Sequence, residues 1–437
     1  MAEIWEHAAD VVADWFLLRK VPRDAIADRR ELRSLATAER AAISSLAHTA
    51  LAQQRRLEVL AGGAQGLPQL APYVRATVLV LASLVDRQQL LADSASRAAE
   101  RRLQRPFDFA PVLAGAERFA SIADPVARFG ACWSLPDWLA GRLLAEFGDE
   151  AATVVRALNE PAPRTLRANT LRVASRDELA RSLQAQGIGT RLAAHAPHGL
   201  HVDGDADLFA TALYQNGAFE QQDEASQLAA LAVAPPPRGR VLDLCAGSGG
   251  KTLAVAAALQ NRGEVLATDV HDGRLQALRQ RARRAGVTNV RALQIGEHEW
   301  PAAVEEFART ADRILIDAPC SGTGSWRRHP EGRWTLTAAD LAALLHTQDR
   351  LLDRVAGVLQ PGARLVYATC SVLAAENELR VAALLQRRPE LEVVRLAEVL
   401  GGAVARPIAD AKGAFLSLRP DRQGCDGFFA AILRRRR

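Results

Sequence analysis

The chain has 437 residues, of which 49% are apolar and 24% charged, and its formal net charge is +5. This is the composition of a globular protein, and the length exceeds what one ordinary core holds, so we expect two or three domains. No apolar run approaches the roughly 20 residues of a membrane helix. The acidic start, residues 1–6, lacks the basic and apolar regions of a signal peptide, so we expect a cytoplasmic protein.

Cysteine spacing and charge narrow the function classes further. The cysteines are Cys132, Cys245, Cys320, Cys370 and Cys425. They form no C-x-x-C pair, so a zinc site is not expected, and their odd number argues against a disulfide framework. The basic balance favours a polyanionic partner only mildly, because a compositional bias towards arginine explains it equally well.

The first two segments differ in their hydrophobic pattern. Residues 1–140 carry apolar side chains at helical spacing, as in 36–57 and 73–91, and are predicted to form an all-α domain. Residues 141–215 are predicted to form a small α+β module. Its elements are a strand over 164–173, a helix that starts at the capping box Ser175-x-x-Glu178, and short strands over 190–194 and 199–202.

Strands and helices then alternate over residues 216–437, and Pro235–Pro237 interrupt any helix near the start of this segment. The predicted strands are 240–244, 264–269, 290–295, 313–317 and 364–369, with a last strand over 427–433. Such alternation is typical of a doubly wound, Rossmann-like parallel sheet.

A glycine-rich turn follows the first strand of this sheet, in DLCAGSGGKT (243–252), and Asp269 ends the second strand. A strand, a glycine turn and a helix form a ligand site at the carboxyl edge of a sheet, with the acid placed for ribose hydroxyls. A phosphate-binding P-loop requires a glycine where Cys245 stands, and a dinucleotide motif requires one at Thr252. A tight turn without a ligand is the remaining alternative.

Two cysteines follow neighbouring strands at the same edge, in DAPCSGTG (317–324) and ATCSV (368–372). A thiolate that adds to carbon 6 of a cytosine makes carbon 5 able to accept a methyl group. Asp317 is placed to donate towards N3 of the ring, which requires it to be protonated or to share a proton. Its alternative role is an ordinary carboxylate that caps the following loop.

These motifs, in this order and spacing, resemble the Fmu/Sun family of 16S ribosomal RNA cytosine-5 methyltransferases. The segments PAPRTLRANTLR (161–172), GAFEQQDEASQLAA (217–230) and CDGFFAAILRR (425–435) also match that family. The resemblance covers the chain from about residue 130 onwards. It implies S-adenosylmethionine as cofactor, RNA as partner, most simply 16S ribosomal RNA, no metal, no membrane and a monomer.

The resemblance also assigns individual residues. Cys370 corresponds to the thiolate nucleophile, Cys320 to the cysteine that assists product release, and Asp317 to the acid beside it. The implied cofactor-binding residues are Cys245, Ala246, Gly247, Gly249, Gly250, Lys251, Asp269, Arg274, Glu297 and Asp317. Gln222, Asp223 and Ser226 match a helix that leads into the site, although capping and packing explain them equally well. Ser248 and Glu297 depart from the family, where proline and aspartate are usual.

Access to a base in RNA requires it to be unpaired or flipped out. The loop 326–330 (WRRHP) offers an aromatic face and cations for stacking and phosphate contact, unless its tryptophan is simply packed. Arg164, Arg167 and Arg172 alternate along one predicted strand and are candidates to face RNA. In the resembling family the N-terminal domain is similar to the RNA-binding factor NusB. The rival functions are the same chemistry on transfer RNA, and a non-catalytic RNA-binding factor in ribosome assembly.

Overall fold

The computed structural model describes residues 2–63 and 67–436. The described chain separates into two compact units, the first comprising 1–160 and 326–338, the second 161–325 and 339–437. Among the described residues, none of the helices is long and apolar enough to cross a membrane.

The first unit is helical, and its helices continue beyond the predicted boundary at 140. They are α1 Ala2–Leu18, α2 Pro22–Asp28, α3 Arg30–Arg33, α4 Thr37–Ala52, α5 Gln54–Gly62, α6 Pro72–Asp86, α7 Ala92–Leu103, α8 Gly115–Ala120, α9 Pro125–Trp133, α10 Asp137–Phe147 and α11 Ala151–Asn159, with 3₁₀ turns at Ala110–Ala114 and Gly148–Glu150. Helix α6 begins with proline at its first position, and α9 is capped by Asp124, whose carboxylate accepts from the Ala127 amide at 2.7 Å. Both helix starts follow from the sequence.

The second unit begins with a small antiparallel sheet. Its elements are β1 Arg164–Ala168, α12 Arg176–Gln184, β2 Thr190–Leu192, β3 Gly199–Val202, α13 Ala212–Gln215 and β4 Phe219–Gln221, with a 3₁₀ turn at Leu208–Ala210. Ser175 caps α12 by accepting from the Glu178 amide. The strand order is β2-β3-β1-β4, so a strand from the segment assigned to the catalytic domain completes this sheet.

A larger sheet with helices on its faces forms the rest of the second unit, as the sequence predicts. Its elements are α14 Glu224–Leu231, β5 Arg240–Asp243, α15 Gly250–Ala258, β6 Glu264–Asp269, α16 Asp272–Ala285, β7 Val290–Gln294, α17 Ala302–Thr310, β8 Arg313–Asp317, then α18 Gly332–Thr335 in the segment that belongs to the first unit, α19 Ala338–Val358, β9 Arg364–Thr369, α20 Glu378–Arg387, β10 Leu391–Val394, α21 Leu396–Leu400, α22 Gly402–Ala405, β11 Leu416–Leu418, α23 Pro420–Gln423 and β12 Phe428–Arg435; 3₁₀ turns lie at Thr323–Ser325 and Arg406–Ile408.

The order of the strands places the candidate site. It is β10-β12-β9-β8-β5-β6-β7, with β5 to β9 parallel and the last strand antiparallel to β9. From β5 the chain moves to β6 on one side and later to β8 on the other, so the strand order reverses there. Ligands of open α/β sheets bind at the carboxyl ends of strands beside such a reversal. The Rossmann-like fold class is thereby confirmed.

Both faces of the large sheet are buried, and successive residues of each strand pack alternately into the two cores. Leu242, Ile314 and Leu365 share one core, whereas Val241 and Leu315 share the core on the opposite face. Near-continuous apolar runs are the expected pattern for parallel strands covered on both sides. The rigid sheet therefore holds the polar residues at its carboxyl edge in fixed positions.

Candidate active site

The two motif cysteines lie at the carboxyl ends of adjacent parallel strands. Asp317 of β8 pairs in register with Ala368 of β9, and the Ala318 amide continues the ladder by donating to the Ala368 carbonyl at 2.8 Å. The Gly324 amide donates to the Cys370 carbonyl at 2.9 Å. These backbone bonds bring the Cys320 and Cys370 Sγ atoms to 3.4 Å from each other. The loop after β8 is thus tied to the loop after β9.

The sulfur pair is asymmetric mainly because of the hydrogen bond between its two members. This bond, with Cys320 as donor, lowers the pKa of Cys370; burial and the Asp317 carboxylate oppose the lowering, and the Lys251 ammonium adds to it. The same hydrogen bond, together with burial, raises the pKa of Cys320 well above that of an ordinary thiol, and the nearby Glu376 carboxylate adds to this. Cys370 is therefore the more acidic thiol of the pair and Cys320 the less acidic one.

This asymmetry predicts how Cys370 responds to pH. Its alkylation by iodoacetamide, followed by peptide mass spectrometry, should begin at a lower pH than that of an ordinary thiol with a pKa of about 8.5. In Cys320→Ala the hydrogen-bond donor is gone, so the pKa of Cys370 rises and alkylation should begin at a higher pH. Cys320→Ser keeps a donor and is the matched control. An unchanged onset in Cys320→Ala would contradict the assignment.

Lys251 connects the cysteine edge to the glycine turn. Its ammonium donates to Asp317 Oδ2 at 2.7 Å and lies 4.7 Å from the centre of the Phe428 ring. Burial alone lowers the pKa of Lys251, but the Asp317 carboxylate beside it raises that pKa above its ordinary value. The proton that the sequence analysis expected at Asp317 is thus available from the Lys251 ammonium, which is hydrogen-bonded to that carboxylate.

The glycine turn is built around Asp269 of β6. Its two carboxylate oxygens accept from the Gly247 amide at 2.9 Å and the His271 amide at 2.8 Å. Gly249 has φ of +86°, and a side chain there would approach Leu278 to 2.5 Å, so glycine is required on both counts. A Cβ at Gly247 would meet nothing within 4 Å, so the turn opens onto free space. This is the form of a ligand cradle.

Asp243 lies beneath the turn at the end of β5. It is buried, and its Oδ2 accepts from the Thr252 hydroxyl at 2.6 Å. Its Oδ1 has no hydrogen-bond partner among the groups that the structure describes. Burial raises the pKa of Asp243 to about 7. A buried carboxylate with an unused oxygen at the base of the turn is a polar group whose presence calls for an explanation.

The small sheet supports the same turn from the side. Glu220 of β4 is nearly fully buried and pairs with Arg281 at 2.9 Å and Arg284 at 2.5 Å, both on α16. Arg281 also donates to the Ser248 carbonyl of the turn at 2.8 Å. The position at which proline is usual in the resembling family is therefore held through its carbonyl, which serine and proline share.

The other predicted cofactor residues lie around this turn. Ala246 and Lys251 are buried, and the Ala246 amide donates to the Thr268 carbonyl at 2.8 Å. Arg274 is exposed in the first turn of α16. Glu297 follows β7, is 68% exposed and lies 3.8 Å from Arg350. The roles of these residues remain predictions.

Two expectations about RNA contacts are wrong. Arg167 points inward, with 5% of its surface exposed, and donates to Gln222 Oε1 at 2.6 Å; burial lowers its pKa to about 10. Trp326 is 1% exposed and packs on the Arg333 guanidinium within the helical unit, which residues 326–338 join. The structure thus shows a packed tryptophan, which was the alternative to an aromatic face for RNA in the loop 326–330. Arg164 donates to backbone carbonyls of residues 204 and 206.

Gln222, Asp223 and Ser226, near the start of α14, have in part the capping and packing roles that were the alternative to a place in the site. Asp223 caps the helix by accepting from the Ala225 amide at 2.8 Å, and Gln222 donates to the Ser226 hydroxyl at 3.0 Å. Gln222 also lies close to Gly250 of the turn, since a Cβ there would be 3.6 Å from its Nε2. These side chains therefore support the site from its flank.

A polar network that sequence reasoning missed lies behind the cysteines. Glu376 is fully buried and accepts from the Ser321 amide at 2.8 Å and from Gln348 Nε2 at 3.0 Å. The hydroxyls of Thr323 and Ser371 are 3.0 Å apart and join the two cysteine loops. The available signal was a polar AENE segment (375–378) between a strand and a helix at the site edge. Within the described residues, no cluster of three His, Cys, Asp or Glu is arranged to hold a metal ion.

Comparisons with known proteins agree with this geometry. Residues 230–434 match the family model described as 16S rRNA methyltransferase RsmB/F, and 135–208 match the ferredoxin-like domain of RsmF/B-like methyltransferases. Ribosomal RNA small subunit methyltransferase B of Xylella fastidiosa strain Temecula1 is 36% identical over 309 residues, or 71% of this chain and 68% of that protein.

Two further comparisons extend the coverage. The corresponding protein of Xanthomonas campestris pv. campestris, with the same printed name, is 33% identical over 373 residues, or 84% of this chain and 82% of that protein. The crystal structure of a methyltransferase homolog protein from Pyrococcus horikoshii is 26% identical with a TM-score of 0.60, covering 72% of this chain and all of that one.

Proposed function

Because the chain belongs to the 16S rRNA methyltransferase RsmB/F family and depends on S-adenosylmethionine, we propose that it methylates carbon 5 of a cytosine in RNA, through a covalent bond from Cys370 to carbon 6. The observation that carries the proposal is the pair of Sγ atoms 3.4 Å apart at the edge where the glycine turn also lies. A methyltransferase that needs no covalent intermediate has no use for two such thiols.

The residues of the glycine turn fit the cofactor. The open space at Gly247 admits a ligand against the backbone, and each carboxylate oxygen of Asp269 keeps a lone pair for a ribose hydroxyl. Lys251 and Asp243 offer a cation and an acceptor for the charged amino-acid end. When bound, S-adenosylmethionine supplies the methyl group as an electrophile. Asp269, Lys251 and the turn from Cys245 to Gly250 are therefore the proposed binding residues.

Covalent activation begins with the Cys370 thiolate, which adds to carbon 6 of the ring. The electron pair of the 5,6 double bond moves to carbon 5 and, through the bond between carbon 4 and N3, towards N3. The Lys251 ammonium, relayed through the Asp317 carboxylate to which it donates, is the proposed source of a proton for N3 as negative charge develops there. Carbon 5 then has enamine character and forms the new bond to the methyl group.

Release requires that the proton on carbon 5 is lost and the bond from carbon 6 to sulfur breaks. The carbon 5 proton passes to solvent, N3 returns its proton to the pair of Lys251 and Asp317 as the 5,6 double bond forms again, and the sulfur electron pair returns to Cys370. The Cys320 thiol, 3.4 Å from that sulfur, stabilises the leaving thiolate by hydrogen bonding. This assigns product release to Cys320.

The proposed substrate is 16S ribosomal RNA, in keeping with the family model and the relatives' names. We propose that the helical N-terminal domain over 1–140, the small module over 141–215 and the catalytic domain over 216–437 act together on it in the cytoplasm. The transfer RNA reading and the non-catalytic assembly factor remain the alternatives. Bisulfite sequencing of total RNA from cells with and without the gene tests all three. In cells without the gene, we expect one cytosine of 16S RNA to lose its protection from bisulfite conversion. Loss of protection in transfer RNA instead, or at no cytosine, would reject the proposal.

The support of the turn by Arg281 predicts an effect on cofactor affinity. In Arg281→Met the bond to the Ser248 carbonyl is lost, so the dissociation constant for S-adenosylmethionine should rise roughly tenfold, as for one charge-assisted hydrogen bond. Arg279→Met is the matched control, because Arg279 lies on the same helix but contacts Asp272 and the Ala292 carbonyl of β7 instead of the turn. Titration calorimetry measures both. Equal affinities for Arg281→Met and the native protein would remove this support role.

A further inference from the structure

We propose that Glu376 is a positioning residue for product release, which holds the turn carrying Cys320 against Cys370 and keeps a negative charge behind it. The inference rests on the proposed function, because release is a step of that chemistry. Glu376 touches neither reacting sulfur in the hydrogen-bond network and acts through the Pro319–Ser321 turn.

The contacts of Glu376 surround the turn. One carboxylate oxygen accepts from the Ser321 amide at 2.8 Å, and the other accepts from the Ser321 hydroxyl. Gln348 of α19 donates to Glu376 at 3.0 Å and also to the Pro319 carbonyl at 2.9 Å. The residues before and after Cys320 are therefore bound to one buried carboxylate and its partner.

Glu376 is itself held in place from behind. Its backbone carbonyl accepts from the Tyr367 hydroxyl of β9 at 2.6 Å. The next residue, Asn377, donates to the Ser371 carbonyl at 3.0 Å and accepts from Thr369. The strand that leads to Cys370 thus anchors the carboxylate that positions Cys320.

The charge of Glu376 has no cationic partner at ion-pair distance among the described residues. The group is 0% exposed, and burying an unpaired carboxylate is costly unless hydrogen bonds satisfy it. A neutral glutamine of the same shape cannot accept three such bonds, since one end of its amide only donates. The Glu376 carboxylate also raises the pKa of Cys320.

The titratable groups that face Cys320 are few. Cys370 lies across from it on the β9 loop, Glu376 behind it, and the buried Tyr367 hydroxyl below. Lys251, Asp317 and Glu376 itself act on Cys370. Removing the charge of Glu376 therefore lowers the pKa of Cys320. Release requires Cys320 to be protonated. The pH above which release fails should therefore be lower without the charge of Glu376 than in the native protein.

The test compares Glu376→Gln and Glu376→Asp in the full-length protein, with RNA substrate and S-adenosylmethionine. Single-turnover assays measure methyl transfer and the release of methylated RNA separately, from pH 6 to 10. In Glu376→Gln we expect release to be slower by roughly 10- to 100-fold and an RNA adduct to persist on denaturing gels. The fall of the release rate at high pH, here called the pH limb, should begin at a lower pH than in the native protein. Glu376→Asp keeps the charge and should keep the native limb, although release is slower.

Two controls separate the possible failures. Ser321→Ala removes one donor but no charge, so it should slow release less and leave the pH limb in place; it also decides the matter if Glu376→Gln does not fold, since native release in it would overturn the inference. If Glu376→Gln releases at the native rate with the native limb, Glu376 has no such role. If the native protein forms no 5-methylcytosine at all, the proposed function fails instead.

Discussion

Replacement of Cys370 by alanine is expected to abolish methyl transfer, with a loss on the order of a thousandfold or more. The thiolate supplies the electron pair that makes carbon 5 reactive, and no other group replaces it. Cys320 lies 3.4 Å away, but its pKa is raised, so it stays a thiol. Transfer of radiolabelled methyl groups to RNA measures the loss.

Cys370→Ser is the matched control for this result. Serine preserves the volume at the end of β9, yet its hydroxyl is a far weaker nucleophile, so it should be as inactive as alanine. The affinity for S-adenosylmethionine should not change in either variant, because the glycine turn is intact. Substantial methyl transfer by Cys370→Ala would mean that the ring is not activated through this sulfur.

Replacement of Cys320 by alanine should have the opposite signature. The first bond to the ring and the methyl transfer depend on Cys370 and proceed, whereas elimination lacks the hydrogen bond that stabilises the departing thiolate. We expect RNA to stay attached to the protein, visible as a slower band on a denaturing gel. Free 5-methylcytosine in RNA should appear at a small fraction of the native rate.

The double replacement of Cys320 and Cys370 by alanine is the control for that band. It should yield no adduct, since the nucleophile is absent. If instead Cys370→Ala accumulated the adduct and Cys320→Ala did not react, the roles of the two cysteines would be exchanged. The lower pKa of Cys370 argues against that exchange.

The sequence predicts the large sheet well because buried parallel strands have a strong local signal. The strands 264–269, 313–317 and 364–369 agree with the structure residue by residue, and the other predicted strands of this sheet differ by one or two residues at their ends. The short strands Leu391–Val394 and Leu416–Leu418 are not predicted. Their apolar runs are bounded by glycine turns and followed by amphipathic helices. The motif cysteines and Asp269 then follow from topology, because carboxyl ends of neighbouring parallel strands share one edge.

Features that depend on distant packing are not encoded locally. Strand β4 has only the residues Phe219–Gln221, and it becomes a strand by pairing with β1. The loop after Cys320 has an aromatic and basic composition typical of RNA contact. Its Trp326 is nevertheless buried, and Trp334 donates to the Leu51 carbonyl at 2.9 Å in the helical unit. Nothing within the loop itself indicates this packing.

Charged residues in the supporting layer were missed for the same reason. Arg167 stands between two apolar residues of β1, which is the pattern of an exposed strand residue. Its side chain is nevertheless hydrogen-bonded to Gln222 in the interior. Glu376 is a carboxylate in a connecting segment, which local pattern assigns to solvent. Its burial follows only when the loops after β8 and β9 meet over it. The residues of the candidate chemistry can be identified from the sequence, whereas the buried charged residues that position them cannot.

RNA containing 5-fluorocytidine offers the most direct measurement. After methyl transfer a fluorine remains on carbon 5 where a proton is normally lost, so elimination is blocked and the native protein, with both cysteines present, should stay bound to the RNA. Peptide mass spectrometry of this adduct should find a methylated fluorocytidine on Cys370. A nucleotide on Cys320, or no covalent adduct while ordinary RNA is methylated, would contradict the account.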